Sequence, residues 1–194
     1  MIQNKEKIVN LPNTISILRI LIVPVLFYLA FTQQANGFIA LFIFAELTDV
    51  LDGFLARKLQ QTTQIGARLD SWGDFMIYAT IAICAWILWP DILQNEWISF
   101  SIIVLSFTLP VIIGFIKFQQ FTSYHTWSVK FAVLVSAIAY ILLFLGLADW
   151  PFRLAALFCA YAAIEQIAIT LLIHHEYVDI RSVWQIIRYL RRNK

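Results

Sequence analysis

Six apolar stretches, each close to the length of a bilayer crossing, occupy most of this chain. They run over about 15–31, 38–56, 69–89, 97–116, 129–147 and 152–173. A helix needs about 20 residues to cross the hydrocarbon of a membrane. Of the 194 residues, 61% are hydrophobic and 13% are charged, against about 25% charged in an ordinary soluble domain. A fold this small cannot bury so much apolar surface. A soluble globular enzyme and a disordered chain are both excluded. In lipid the backbone must satisfy its own hydrogen bonds. The expected fold is therefore all-α, a polytopic membrane protein of about six transmembrane helices in one domain spanning residues 1–194. The first run is too long for a cleavable leader and lacks a small-residue cleavage site, so it is expected to remain as a span.

The basic residues orient the spans. Lys5 and Lys7 precede the first, Arg57, Lys58 and Arg68 separate the second and third, and Lys117 and Lys130 flank the connection from fourth to fifth. Arg181, Arg188, Arg191, Arg192 and Lys194 follow the sixth. All fall on one side. The opposite connections carry Asp91, Glu96 and Asp149, with Arg153 as their basic residue. Positive charge marks the cytoplasmic side, so both termini are expected there. Residues 177–194 place Val178, Val183, Ile186, Ile187 and Leu190 near helical spacing opposite arginines, the pattern of a helix lying on the membrane surface. Residues 1–14 are read as a second interfacial segment, with Pro12 setting its angle. The net charge of +2 is too small to argue for nucleic acid. Cys84 and Cys159 read as small apolar fillers. Trp89, Trp97, Trp127 and Trp150 sit at span ends, as in an interfacial aromatic belt.

Against this background, four carboxylates are out of place. Asp49 and Asp52 lie on the second span, Asp70 and Asp74 on the third. Ionisable groups inside a membrane are costly and are functional candidates by default. Each pair is three or four residues apart and shares a helix face. Asp49 lies about 12 Å before Arg57, and Asp74 about 9 Å beyond Arg68, at 1.5 Å per residue. The two pairs thus reach similar depth on antiparallel helices. Facing carboxylates repel unless cations sit among them, and all-oxygen ligands suit Mg²⁺ or Mn²⁺. Gly53 and Gly66 bracket the acids, where missing side chains admit a substrate. A metal-dependent phosphate-transfer site opening to the cytoplasm follows from this chemistry. A cation-coupled transporter using the same acids is the alternative of a different class.

The full spacing is Asp49-x-x-Asp52-Gly53-x-x-Ala56-Arg57, eight further residues, then Gly66-x-x-x-Asp70-x-x-x-Asp74. This resembles the signature of the CDP-alcohol phosphatidyltransferases at every fixed position. The six-span layout is similar to that family over the whole chain. The resemblance implies transfer of a phosphatidyl group from CDP-diacylglycerol to a small alcohol with release of CMP, in phospholipid biosynthesis. It implies Asp49, Asp52 and Asp70 as metal ligands, and Asp74 as general base and further metal ligand. Gly53, Ala56, Arg57 and Gly66 would line the CDP-lipid site. The implied cofactor is Mg²⁺ or Mn²⁺, two ions. The implied partners are the two substrates, the lipid bilayer and a second copy in a homodimer. The implied location is the bacterial cytoplasmic membrane, with the active site facing the cytoplasm. A transporter needs no Gly, Ala and Arg at fixed places beside its acids.

The acceptor is read from weaker signals. The stretch Asn10-Leu11-Pro12-Asn13-Thr14-Ile15-Ser16-Ile17-Leu18-Arg19, with Pro24 after it, resembles phosphatidylglycerolphosphate synthases, which use glycerol 3-phosphate. That subfamily reads Leu-Asp-Pro-x-Ala-Asp-Lys around its last two acids, where this chain reads Leu69-Asp70-Ser71-Trp72-Gly73-Asp74-Phe75. The serine there is similar to serine-using members, and the alternative to glycerol 3-phosphate is serine, an inositol phosphate or another polar alcohol. Lys117, His125 and Lys130 are candidates for an acceptor phosphate, with Thr122, Ser123 and Thr126 as hydroxyl donors. His174, His175 and Glu176 read as an interfacial cluster. Glu46 and Glu165 lie inside spans and are expected to be protonated, hydrogen-bonded to a hydroxyl, or lining the acceptor cavity.

Overall fold

Each apolar stretch folds as one helix. The computed structural model describes residues 11–58, 64–119, 126–173, 182–184 and 188; inside the helices, the side chains of 11–13, 50, 52–57, 64, 65 and 67–71 lie outside that description. The order is α1 (Leu11–Phe31), α2 (Ala35–Lys58), α3 (Gln64–Leu88), α4 (Pro90–Asn95), α5 (Trp97–Phe118), α6 (Trp127–Phe144) and α7 (Trp150–Leu172). The described residues contain no strand. Four helices are long and apolar enough to cross a membrane: α1 from Thr14, α5, α6 and α7. The 24 residues of α2 and 25 of α3 have the length but carry the charged motif. Large apolar side chains such as Leu21, Ile116, Leu157 and Ile164 are more than 60% exposed. Surface of that kind is stable against lipid or another apolar surface, not against water. The chain is an all-α integral membrane protein.

Helix ends differ from the expected ones for local reasons. α1 is helical from Leu11, the first described residue, four residues ahead of the expected span. α4 was not expected; Pro90 at its start and Asp91 in its first turn are favourable N-terminal residues. α6 stops at Phe144, and Gly146 at φ 70° turns the chain while its N–H reaches Leu143 O at 3.0 Å. α2 ends later and α3 begins earlier than the predicted spans, so Arg57 and Gly66 are helical along with Gly53 and Ala56. Trp97, Trp127 and Trp150 each open a helix and are exposed, as an interfacial belt requires. Most of 177–194 and all of residues 1–10 lie outside the described residues.

The chain divides into two compact units, Met1–Pro90 and Asp91–Lys194. In the first, α1 packs against both α2 and α3. Its core comes from Ile22, Leu26 and Ala30 of α1, Phe38, Phe42 and Ala45 of α2, and Ile77, Ile81, Cys84 and Ala85 of α3. These recur at three- and four-residue intervals, one stripe per helix. In the second unit, α7 packs against both α5 and α6. Its buried stripe is small: Ala155, Ala156, Cys159, Ala162 and Ala163. Small residues let membrane helices approach closely and gain dispersion contacts. The two cysteines are buried free thiols, as expected of fillers.

An ion-pair cluster ties the starts of α5 and α7. Glu96 is 5% exposed and accepts from Arg153 Nη2 at 2.6 Å and from Nε at 3.0 Å. Arg153 also reaches Asp149 at 2.8 Å. A buried carboxylate that loses its cation is strongly destabilising. Arg153→Met should therefore lower the Tm of the detergent-solubilised protein by about 5 °C or more, and adding Glu96→Gln should recover part of the loss. A melting curve unchanged by Arg153→Met would contradict this role.

Candidate active site

One face of α1 is buried along its length, yet its character changes. Ile22, Leu26 and Ala30 continue toward the N-terminus as Arg19, 1% exposed, and Ser16, 3% exposed. The stripes of the neighbouring helices change at the same end. α2 passes from Phe42 and Ala45 to buried Thr48 and then Asp49, while α3 passes through buried Gly73 and half-buried Asp74 before reaching Ile77. The bundle of the first unit is thus apolar at one end and polar at the other. At the polar end Arg19 Nη1 donates to Asp49 Oδ1 of α2 and to Asp74 Oδ1 of α3. The arginine side chain is 2% exposed and the two carboxylates about one-third exposed, at 33% and 30%. Burying a guanidinium is costly unless charge and hydrogen bonds compensate it. Two carboxylates supply both.

Gly73 lets α3 lie close to this pair. A Cβ there would stand 3.6 Å from Ser16 O and 3.8 Å from Arg19 Cβ and Cζ. Those are ordinary contacts, so one methyl fits and a larger side chain does not.

Asp49 and Asp74, the outer acids of the motif, therefore come together from two helices. They meet on a guanidinium carried by a third. Asp52, Gly53, Ala56, Arg57 and Asp70 are helical, but their side chains lie outside the description. Gly66 is half-buried in the first turn of α3. Among the described residues no three His, Cys, Asp or Glu gather at metal-binding distance. The donor chemistry nevertheless fits a hard divalent ion. Carboxylate oxygens from α2 and α3 converge at a locus where one buried guanidinium offsets only part of their charge, and hard dications prefer oxygen ligands. Glu46 is half-buried, one turn along α2 from Asp49.

The acceptor candidates lie in the second unit. Lys117 Nζ donates to Thr170 O at 2.8 Å and Leu171 O at 3.0 Å, where a cation meets the open carbonyls of the α7 C-terminus. Lys130 Nζ stands 5.6 Å from the centre of the Trp127 ring. Thr126 is the N-cap of α6, accepting from Val129 N. Its hydroxyl lies 2.8 Å from that of Ser128. Glu165, 9% exposed, accepts from the Ser128 hydroxyl and from Val183 N at 3.0 Å. Of the roles expected for Glu165, hydrogen bonding to a hydroxyl is the one observed. Thr122, Ser123, His125, His174, His175 and Glu176 lie outside the described residues.

Arg19 is the residue that the spacing argument does not reach. Its signal was present: a lone arginine inside a span is as anomalous as an aspartate. The acids were read as needing cations, and one of those cations is in the chain. Gly73→Ala should leave the Tm within about 2 °C, whereas Gly73→Leu, forced against Ser16 and Arg19, should lower it by about 5 °C or more. Equal melting of the two variants would contradict the close packing described.

Residues 9–173 match the family model for CDP-alcohol phosphatidyltransferase. The chain is 42% identical over 77 residues to a CDP-diacylglycerol–glycerol-3-phosphate 3-phosphatidyltransferase of Pseudomonas fluorescens, covering 38% of this chain and 40% of that one. It is 31% identical over 127 residues to a protein of the same name from Aquifex aeolicus, covering 64% of this chain and 70% of that one. It is also 31% identical over 80 residues to a putative cardiolipin synthase of Mycobacterium tuberculosis, covering 41% and 38%. The chain thus spans less than half the length of the Pseudomonas relative. No solved structure matches the chain.

Proposed function

Because the chain belongs to the CDP-alcohol phosphatidyltransferase family, we propose that it transfers a phosphatidyl group from CDP-diacylglycerol to glycerol 3-phosphate, releasing CMP. The observation that carries the reading is the meeting of Asp49 and Asp74, from two helices, at the polar end of the first unit. Glycerol 3-phosphate is favoured over serine or an inositol phosphate by the N-terminal stretch through Arg19 and by the names of the Pseudomonas and Aquifex relatives. The family match runs across the boundary between the two units, which supports a single catalytic domain over residues 1–194, with 1–14 and 177–194 as interfacial segments.

The acids give the site its chemistry. Asp49, Asp52, Asp70 and Asp74 would hold the divalent ions, Mg²⁺ or Mn²⁺ and two in number, which neutralise the pyrophosphate and the leaving CMP. Gly53, Ala56 and Gly66 leave room for the nucleotide, and Arg57 offers a planar fork to phosphate oxygens. Asp74 takes the proton of the acceptor hydroxyl. That oxygen forms a bond to the phosphorus bearing diacylglycerol, and the bond from this phosphorus to the CMP oxygen breaks. Lys117, His125 and Lys130 bind the acceptor phosphate. Lys117 keeps one N–H beyond the two given to α7.

The enzyme sits in the bacterial cytoplasmic membrane as a homodimer, with both termini and the acids facing the cytoplasm. The one-sided distribution of Lys and Arg supports this orientation. The acyl chains of the donor then stay in the bilayer while the nucleotide reaches the site from the cytoplasm.

Purified protein given CDP-diacylglycerol, Mg²⁺ and a panel of alcohols should release CMP with glycerol 3-phosphate, and EDTA should abolish the release. CMP release with serine alone would overturn the acceptor. Cation flux in vesicles without any CMP release would favour a transporter. Asp74→Asn removes the proton acceptor and keeps the shape. It should lower single-turnover CMP release by at least about 10²-fold while CDP-lipid binding survives. Asp49→Asn should weaken metal and CDP-lipid binding together. Rescue of Asp74→Asn by high Mg²⁺, without rescue of Asp49→Asn, would reverse the two roles. Lys130→Ala should raise the KM for glycerol 3-phosphate and leave that for CDP-diacylglycerol unchanged. A larger change for the CDP-lipid would contradict the acceptor assignment.

A further inference from the structure

Arg19 stands at the junction of α1, α2 and α3, on the acids that the proposed function assigns to metal. We propose that Arg19 is the built-in counter-cation of this site: it pairs with Asp49 and Asp74 when no divalent ion is bound, shares them in competition with the ion, and so sets the metal affinity. This rests on the reading that these acids hold metal.

The geometry supplies the argument. Both carboxylates place Oδ1 on the same nitrogen of Arg19, and two facing carboxylates cannot both stay ionised without positive charge between them. A guanidinium keeps its proton at every working pH, so its charge is permanent where a lysine's is adjustable. α1 holds it there: Ser16, Arg19, Ile22 and Leu26 form one buried stripe, so Arg19 cannot turn to solvent without unpacking the helix. Gly73 brings the α3 backbone against the guanidinium carbon, at 3.8 Å from a Cβ position. A carboxylate has two oxygens and about four lone-pair sites, so an acid that engages Arg19 keeps capacity for an ion. The ion and the guanidinium then repel across the shared acids. A fixed positive charge at this range weakens dication binding, because charges at such separations interact strongly in a medium less polar than water. A site of this kind holds its acids in place without metal and releases its metal readily.

The test is Mn²⁺ binding to the full chain in detergent, followed by electron paramagnetic resonance, with melting curves in EDTA and in excess Mn²⁺. Arg19→Met keeps an unbranched apolar stem and removes the charge; Arg19→Lys keeps a charge. Arg19→Met should bind Mn²⁺ about tenfold more tightly, melt lower in EDTA, and recover most of its stability in Mn²⁺. Arg19→Lys should bind Mn²⁺ nearly as the unaltered protein does. A residue important only for packing would lower the Tm equally in both media and leave Mn²⁺ affinity unchanged. That result, or weaker Mn²⁺ binding by Arg19→Met, overturns the proposal. If Arg19→Met does not fold, Arg19→Gln, polar and uncharged, carries the same comparison. Asp49→Asn in the unaltered background separates the two levels: if it leaves Mn²⁺ binding intact, the acids are not the metal site and the underlying reading fails with it.

Discussion

A guanidinium buried at the end of a helix bundle, held by carboxylates from two other helices, organises the first unit. An arginine with a side chain 2% exposed has no stable place in an apolar interior by itself. Two carboxylates pressed together have none either. The guanidinium offsets part of their charge, and the arrangement requires α1 to pack on both α2 and α3. The apolar stripes of the three helices, from Ile22, Phe42 and Ile77 onward, then close behind the polar end. The cost of holding charge in a membrane protein thereby fixes which helices meet and at what register.

The second unit solves the same problem with dispersed pairs. Its helices are apolar nearly throughout, and α7 lies close to α5 and α6 through alanines and Cys159. Its ion pairs and lysine contacts lie at helix ends, and Glu165 lies within α7. Arg153 and Glu96 join the starts of α7 and α5, Lys117 covers the last carbonyls of α7, and Glu165 gathers Ser128 and the backbone of Val183. Each satisfies backbone or side-chain groups that lipid would leave bare. Lys117, in the last turn of α5, finds its partners in the open carbonyls of α7.

Much of the fold was legible in the sequence because span length and hydropathy are properties of segments. Each of the six apolar stretches became a helix. Ends were less legible, since α2 and α3 continue into the charged motif where apolar character stops but helical hydrogen bonding does not. α4 was hidden by its six residues, too short for periodicity to register. In the site, the acids announced themselves by their burial cost and spacing. Arg19 is as anomalous inside a span, but its pairing is not legible, because its partners lie 30 and 55 residues away. No local pattern reports a contact of that separation. Only the bundle, with α1 between its neighbours, shows that the cation demanded by the acids is partly supplied from within.

The chemistry proposed at this site is a displacement at phosphorus by an acceptor hydroxyl, assisted by Asp74. Its most direct test follows the oxygen atom. Glycerol 3-phosphate carrying ¹⁸O in its C1 hydroxyl is incubated with CDP-diacylglycerol, Mg²⁺ and the purified protein, and the lipid and nucleotide products are analysed by mass spectrometry. The account predicts that the label is retained in the new phospholipid, bridging glycerol to the lipid phosphorus, and that CMP carries none. Loss of the label from the lipid, its appearance in CMP, or the absence of any phospholipid product would contradict it.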